Sequence, residues 1–421
     1  MNLQERDKKH LWHPLTQHQT AADPIAIVKA KDALLWDEDG NEYIDGIASW
    51  YTAMYGHCND HIVLAVSEQL KQLDQIVFAG FTHEPAIELS EKLMEILPEN
   101  QQKIFFNDNG STAVEAGIKM ALQFHYNKGQ KKDTLIAFED GFHGDTFGAM
   151  SVSSLSVYNG PFEDFFLNVI RIPTPNENNL ENVLELLRLA IAENNCAAFV
   201  YEPLVQGAAG MKMYSADGLE EILKICKAHS VITIADEVMT GFGKTGTHFA
   251  SLQLENYPDI MCLSKALTAG VAAMSITTCT QEIYDAFLDD SIGKAFFHAH
   301  TYSANPLACA AAIAGIKLLT SEEIQNNIKR IENQHCEFLK RIANHIKIRS
   351  SRQHGVILAI DLNIEMERYG DLRLKLFTHF MNAGIFLRPL GNTIYILPPY
   401  VITNNQLEKV YQSIEEALEI V

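Results

Sequence analysis

A lysine and an aspartate stand at the carboxyl ends of two apolar segments that are typical of neighbouring buried strands. Residues 231–235 lead into Asp236, and residues 260–263 lead through a serine to Lys265. A carboxylate at the end of so apolar a segment is costly unless a cation pairs with it. A lysine can hold an aldehyde as a Schiff base, and an acid can pair with a pyridine nitrogen, which together would anchor pyridoxal phosphate (PLP). An ion pair at the rim of a sheet is the alternative, and these two residues alone do not decide between them.

A second group of residues could bind a phosphate. Gly110 and Ser111 follow the apolar segment 104–106 and open a stretch whose apolar residues repeat at helix spacing. Glycine allows close approach of the backbone, and the free amides at a helix start suit an anion. The alternative is an ordinary helix cap formed by Ser111 or Asn109.

Aromatic and glycine residues follow another apolar segment, 134–138. Phe142 and His143 lie between two glycines at its carboxyl end, where ligands of open α/β sheets bind. We expect a ring there to stack on a flat cofactor, although a tight turn with incidental aromatic residues is an equal alternative. Val238, two residues beyond Asp236, would point the same way and could press on the ring face.

Polar residues elsewhere are candidates for contacts with cofactor or substrate. Glu202 ends the segment 197–201 and could bind substrate, support the pocket or form a structural salt bridge. The histidine pair His298 and His300 has no cysteine or carboxylate at zinc-ligand spacing, so a metal site is disfavoured and none is predicted. The neighbouring Thr301 suits a phosphate better. Arg388 could bind a substrate carboxylate in bidentate geometry, or could be a surface arginine.

Composition excludes several classes of protein. The chain has 421 residues, 47% of them hydrophobic, and a formal net charge of −20, which disfavours nucleic acid and anionic membranes as partners. Its seven cysteines are odd in number and lack CxxC spacing, which predicts free thiols in a reducing compartment. The first ten residues have no apolar core, and no apolar stretch approaches the roughly 18 residues that span a bilayer. We therefore expect a soluble cytoplasmic protein.

The order of predicted elements indicates an α/β fold with a second, smaller domain. Between residues 56 and 310, amphipathic helices alternate with strands that are continuously apolar, as in a mainly parallel sheet sandwiched by helices. Residues 1–55 are predicted to form an arm and a hairpin. Together with residues 311–421 they are predicted to build the small α+β domain. The strands predicted for the large domain are residues 104–106, 134–138, 197–201, 231–235, 260–263 and 273–277.

In their order along the chain, these features resemble the class III aminotransferases of PLP fold type I. The resemblance covers nearly the whole chain, and residues 235–246 with 264–267 are its most specific part. Within the family it is closest to the branch that aminates 8-amino-7-oxononanoate in biotin synthesis. The segments that carry this closer resemblance are residues 11–14, 49–51, 141–153, 388–391 and 395–400.

The resemblance implies PLP as cofactor and a role for each matching residue. Lys265 would be the Schiff-base lysine and proton shuttle, and Asp236 would pair with the pyridine nitrogen. In a homodimer with shared active sites, one subunit would hold the phosphate through Gly110 and Ser111, while the other reaches it through His300 and Thr301. The residues implied at the cofactor are Gly110, Ser111, Phe142, His143, Asp236, Val238, Lys265, His300 and Thr301. Those implied at the substrate are Leu15, Trp50, Tyr51, Phe142, Ala299 and Arg388, the last taking the carboxylate of the keto acid.

Two positions depart from the family pattern. Leu15 stands where well-known members have a tyrosine that helps to recognise the keto substrate, and Phe142 stands where many have tyrosine. S-adenosylmethionine is the expected amino donor, but some relatives use lysine, so both donors stay open. Another class III ω-amino acid or diamine transaminase is a further alternative. A regulatory protein that kept the fold and lost catalysis is disfavoured because Lys265 and Asp236 are both retained.

Overall fold

The structure is a computed structural model of the chain, and it describes residues 2–156, 159–364 and 371–421. Its strands are β1 Ile27–Lys31, β2 Leu34–Asp37, β3 Glu42–Asp45, β4 Gln101–Asn107, β5 Thr134–Phe138, β6 Val169–Ile172, β7 Cys196–Tyr201, β8 Val205–Gln206, β9 Lys212–Met213, β10 Ile232–Asp236, β11 Ile260–Leu263, β12 Ser275–Thr280, β13 Ile348–His354, β14 Ile357–Leu362, β15 Ile385–Phe386 and β16 Thr393–Ile396. Its helices are α1 Leu3–His10, α2 Ala48–Tyr51, α3 Asp60–Leu70, α4 Glu84–Met94, α5 Gly110–Asn127, α6 Phe147–Val152, α7 Leu180–Glu193, α8 Ala216–Ala228, α9 Gln281–Asp285, α10 Pro306–Leu319, α11 Glu322–Ile342, α12 Asp371–Asn382 and α13 Asn404–Glu419. Short 3-10 turns cover Gly160–Phe165, Ala250–Gln253, Lys265–Thr268 and Ile292–Lys294.

A seven-stranded sheet in the order β4-β12-β11-β10-β7-β5-β6 forms the centre of the fold. The strands from β11 to β6 pair in parallel, and among the described strands of this sheet only β12 is antiparallel to both of its neighbours. Every residue of β5, β7, β10 and β11 is buried. Strands covered on both faces have no polar face, which explains why their sequences are continuously apolar. The predicted α/β fold class is confirmed.

Strand β12 is the element whose predicted position was most displaced. The apolar segment 273–277 predicted a strand there, but the strand covers Ser275–Thr280 and ends in threonines. Thr277 donates a hydrogen bond to the carbonyl of Ala113 at 2.8 Å, and Thr278 donates to Oε1 of Gln101 at 2.6 Å. Because their hydroxyls are satisfied, these polar residues are tolerated in the buried strand.

A four-stranded sheet in the order β1-β2-β3-β15 joins the two ends of the chain. The predicted hairpin is present as β2 and β3, and β3 pairs in parallel with β15, which lies just before Arg388. A third sheet, β13-β14-β16, lies in the C-terminal part. Between the central sheet and this C-terminal part lies the 14-residue helix α10. The domain boundaries near residues 55 and 310 stay predictions.

None of the described helices is long and apolar enough to cross a membrane. All seven cysteines are free, and five of them are buried.

Candidate active site

The sheet brings the lysine and the aspartate to one edge. Asp236 is the last residue of β10, and it lies beside Cys262 of the parallel strand β11. Lys265 follows Cys262 by three residues and begins a 3-10 turn. Because ligands of open α/β sheets bind beyond the carboxyl ends of the strands, this edge is the expected site.

The Asp236 carboxylate is almost completely buried and has two protein partners. Its Oδ2 lies 2.8 Å from Nδ1 of His143, and its Oδ1 accepts a hydrogen bond from the Val238 amide at 3.1 Å. Burial alone would lower the pKa of His143, but the hydrogen bond and charge of Asp236 outweigh it and raise that pKa. The aspartate is therefore oriented by a histidine whose protonated form is favoured.

The Lys265 side chain lies at the wall of the site. Its Nζ is 5.5 Å from the centre of the Tyr51 ring. Loss of hydration lowers the pKa of Lys265, while the charges of Asp236 and Glu202 oppose this shift. A larger fraction of Lys265 is therefore neutral than in an ordinary exposed lysine. The neutral amine is the form that attacks an aldehyde and accepts a proton.

The start of helix α5 fits a phosphate. The Asn109 side chain accepts the Thr112 amide, whereas the amides of Gly110 and Ser111 have no acceptor in the described part of the chain. A Cβ added at Gly110 would lie 2.8 Å from Cγ1 of Val238, so the close approach of the helix start to the turn after β10 requires glycine. Two free helix amides beside Val238 are what the phosphate end of PLP needs.

Phe142 and Glu202 line the same edge. Phe142 is 41% exposed, which leaves its ring available to stack on a ligand. Glu202 is buried, and it accepts the amides of Phe142 at 3.1 Å and Gly207 at 2.9 Å. Burial raises the pKa of Glu202 to about 7. The carboxyl therefore titrates near neutrality and holds the loop that carries Phe142. Of the roles left open for Glu202, these contacts favour support of the pocket.

Trp50, Tyr51 and Arg388 form a further part of the wall, next to Lys265. The Arg388 guanidinium lies 4.8 Å from the centre of the Trp50 ring, and it has no hydrogen-bond or ion-pair partner within the described ranges. The Tyr51 hydroxyl donates to the hydroxyl of Tyr395 at 3.0 Å. Arg388 is thus held by stacking while its donors stay free for an anion.

The remaining predicted site residues do not join this group within one chain. Leu15 lies in the N-terminal arm and is 60% exposed, and Ala299 and Thr301 are exposed as well. No hydrogen bond of the described residues links His300 or Thr301 to the start of helix α5. The contact of His300 and Thr301 with a phosphate held by a second subunit stays a prediction.

Several residues of the site were not found from the sequence. The side-chain partner of Asp236 inside the protein is His143, which the sequence had placed only against the cofactor. Tyr395 and the network of Asp45, Ser49 and His57 were also missed, because their partners are distant in sequence or lie around a turn. Among the described residues, no group of three or more His, Cys, Asp or Glu side chains could hold a metal ion.

Comparisons with known proteins agree with this geometry. The chain matches the family described as aminotransferase class-III over residues 16–418. It is 42% identical to the adenosylmethionine-8-amino-7-oxononanoate aminotransferase of Synechococcus elongatus, over 97% of this chain and 98% of that protein. The crystal structure of the enzyme of the same name from Methanocaldococcus jannaschii has a TM-score of 0.94 at 31% identity and covers 100% of this chain and 99% of that one. An amine transaminase from an uncultivated Pseudomonas species, solved in its PLP-bound form, has a TM-score of 0.89 at 27% identity, covering 97% and 98%.

Proposed function

The chain belongs to the aminotransferase class-III family, and from that premise we propose that it converts 8-amino-7-oxononanoate to 7,8-diaminononanoate in biotin synthesis. The observation that carries this proposal is the 42% identity, over nearly the full length of both chains, to a relative named for that reaction. As a member of this family the protein is an aminotransferase, and its cofactor is PLP. S-adenosylmethionine is the amino donor that the names of the relatives favour.

The described residues suit each task that an aminotransferase requires. When bound, PLP supplies an aldehyde that carries the amino group and a ring that draws electrons from the reacting carbon. Lys265 holds the cofactor and moves a proton at Nζ, which its lowered pKa favours. Asp236, oriented by His143, holds the proton of the ring nitrogen. Gly110 and Ser111 bind the phosphate through their amides.

Arg388 determines which substrate end faces the wall with Trp50. Its unpaired guanidinium, stacked on Trp50 at 4.8 Å, is suited to the single carboxylate at the far end of the keto acid. The apolar rings of Trp50 and Phe142 would contact the carbon chain between that carboxylate and the ketone. Lysine as donor, or another ω-amino acid or diamine substrate, is the alternative.

We also propose a cytoplasmic homodimer with shared active sites. Ala299 and Thr301 are exposed in one chain, while His300 between them is half-buried and its Nε2 has no hydrogen-bond partner in the described ranges. If a second subunit places its own Gly110 and Ser111 near this segment, the phosphate held there would contact Thr301 and provide an acceptor for His300.

A half-reaction assay tests the proposed reaction. The PLP form of the enzyme is mixed with S-adenosylmethionine, and separately with lysine, while the absorbance is followed as the cofactor changes to its amino form. We expect S-adenosylmethionine to complete this change and subsequent 8-amino-7-oxononanoate to reverse it. If lysine and not S-adenosylmethionine converts the cofactor to its amino form, lysine is the donor. An amino form that does not react with 8-amino-7-oxononanoate would refute the proposed acceptor.

A further inference from the structure

The chain makes an unusual turn between β3 and the site. Four consecutive residues, Ala48 to Tyr51, have positive φ angles of 46°, 45°, 63° and 71°, and none of them is glycine. Left-handed backbone costs about 1–2 kcal/mol for each such residue. This strained turn carries both Trp50 and Tyr51 into the wall of the active site, and surrounding contacts must hold it there.

A buried carboxylate supplies these contacts. Asp45 is fully buried, and its Oδ2 accepts a hydrogen bond from the Ser49 hydroxyl at 3.0 Å and lies 2.8 Å from Nε2 of His57. Its Oδ1 accepts the Ile47 amide at 3.2 Å. The carboxylate therefore ties the entry of the turn, its second residue and the chain beyond it to one point.

The same carboxylate lies at a fixed position relative to Arg388. Asp45 is the register partner of Phe386 in the parallel pair of β3 and β15, and the Gly46 amide donates to the Phe386 carbonyl at 3.1 Å. Arg388 lies two residues beyond Phe386, and the turn brings Trp50 back to stack on its guanidinium at 4.8 Å. Two short chain segments thus start from the paired residues Asp45 and Phe386, and they come together again where Trp50 stacks on Arg388.

We propose that Asp45, together with Ser49 and His57, is a positioning device that holds the left-handed turn and thereby sets the Trp50–Arg388 stack to receive the carboxylate of the acceptor. Asp45 touches neither substrate nor cofactor in this arrangement and acts through the turn. The inference rests on the proposed function, because that function assigns the acceptor carboxylate to Arg388.

Asp45→Asn and Ser49→Ala holoenzymes test this role. Misplacing a binding group by about 1 Å can cost up to about 100-fold, so we expect the KM for 8-amino-7-oxononanoate to rise about tenfold or more. Both kcat and the donor half-reaction should stay within about twofold of wild type, because Lys265 and Asp236 are untouched. The ketone without the carboxylate, 2-amino-3-octanone, should react with an unchanged kcat/KM.

Asp37→Asn is the matched control. Asp37 is a buried carboxylate of the same hairpin that accepts the Tyr43 hydroxyl and the Asn41 amide, both at 2.8 Å, and it does not contact the turn. This variant should lower the thermal midpoint without changing the KM for the keto acid. Ser49→Ala keeps the Asp45–His57 pair and so remains informative if Asp45→Asn does not fold.

Three results would overturn the positioning role. The first is an unchanged KM for the keto acid in folded Ser49→Ala and Asp45→Asn. The second is an equal loss of kcat/KM for the keto acid and for 2-amino-3-octanone, and the third is an equal rise of the KM for the keto acid in Asp37→Asn. Wild-type enzyme that does not aminate 8-amino-7-oxononanoate would instead refute the proposed function, and this inference with it.

Discussion

The Nδ1 atom of His143 lies 2.8 Å from Oδ2 of Asp236, and both side chains are almost completely buried. The two residues are 93 apart in sequence, and they join the loop after β5 to the last residue of β10. Because Asp236 raises the pKa of His143 against the effect of burial, the ring favours its protonated form and supports a negative carboxylate. One carboxylate thus has a partner inside the protein as well as the ring nitrogen that it is proposed to hold.

Asp236→Asn should bind PLP but lose most of its turnover. The amide keeps the shape of the side chain, yet it cannot hold a proton on the ring nitrogen, so the rate of the donor half-reaction should fall by at least about 100-fold. Stopped-flow absorbance in the half-reaction measures this rate. Asp259→Asn is a fitting control, because Asp259 is a partly buried carboxylate near the opposite end of β10 that accepts the Thr233 amide. Normal turnover in Asp236→Asn would contradict the role of the carboxylate.

Lys265→Ala should abolish covalent attachment of PLP. In wild type we expect an absorption band in the violet region that borohydride treatment removes, leaving the cofactor fixed to the chain. The variant should release all of its cofactor on denaturation, whether or not it has been treated with borohydride. Mass spectrometry of the reduced protein measures the attachment.

Lys244→Met is the control for that experiment. Lys244 is fully buried, and its Nζ donates to the Gly241 carbonyl at 2.8 Å, so it is a second lysine in a desolvated setting. We expect the band and the borohydride-dependent mass to persist in this variant. Attachment that survives in Lys265→Ala would show that another amine holds the cofactor.

Much of the fold followed from local patterns. Strands β5 and β11 were predicted with their observed bounds, because uninterrupted apolar segments between turns are typical of buried parallel strands. Strand β15 was missed because it has only two residues, Ile385–Phe386, and exists through its pairing with β3. Strand β13 was missed because its sequence, IRSSRQH, is polar and lies at the edge of its sheet.

Site residues could be predicted where their type and position in a strand pattern indicate their chemistry. Contacts between residues from distant parts of the chain could not, because they depend on the folded arrangement. Lys265 and Asp236 could be placed at one edge because Asp236 ends one apolar strand and Lys265 closely follows another in the same sheet. The stacking of Arg388 on Trp50 could not be foreseen, because it depends on the pairing of β3 with β15 and on a left-handed turn without glycine. Sequence patterns that rely on glycine to indicate positive φ do not detect such a turn.

Arg388→Ala should affect the keto acid far more than the donor. The guanidinium has no ionic partner in the part of the chain that the structure describes, so its loss removes the proposed substrate contact without leaving a buried carboxylate unpaired. Loss of one partner of a charged pair costs about 2–5 kcal/mol, so the KM for 8-amino-7-oxononanoate should rise by roughly 30-fold or more. Steady-state kinetics with each substrate varied in turn provide the measurement. An equal rise for donor and acceptor would overturn the assignment of the acceptor carboxylate to Arg388.

Glu202 should make the stability of the protein depend on pH. Burial raises its pKa from the ordinary 4.5 to about 7, so in the folded protein the carboxyl stays protonated over a range in which the unfolded chain has released the proton. Raising the pH through this range therefore favours the unfolded state. The destabilisation grows between pH 4.5 and about 7 and is constant above that, with a total of roughly 3 kcal/mol.

Glu202→Gln removes this titration while keeping a side chain that can accept the Phe142 amide. The free energy of unfolding of the variant relative to wild type should therefore increase as the pH rises from 5 to 7 and should then level off. Urea denaturation at each pH, with saturating PLP, measures the difference. Glu282→Gln serves as the control, because its carboxylate is 74% exposed in a surface ion pair with Lys128, and its difference from wild type should stay within about 0.5 kcal/mol. Parallel stability curves for Glu202→Gln and wild type would show that the buried carboxyl does not titrate in this range.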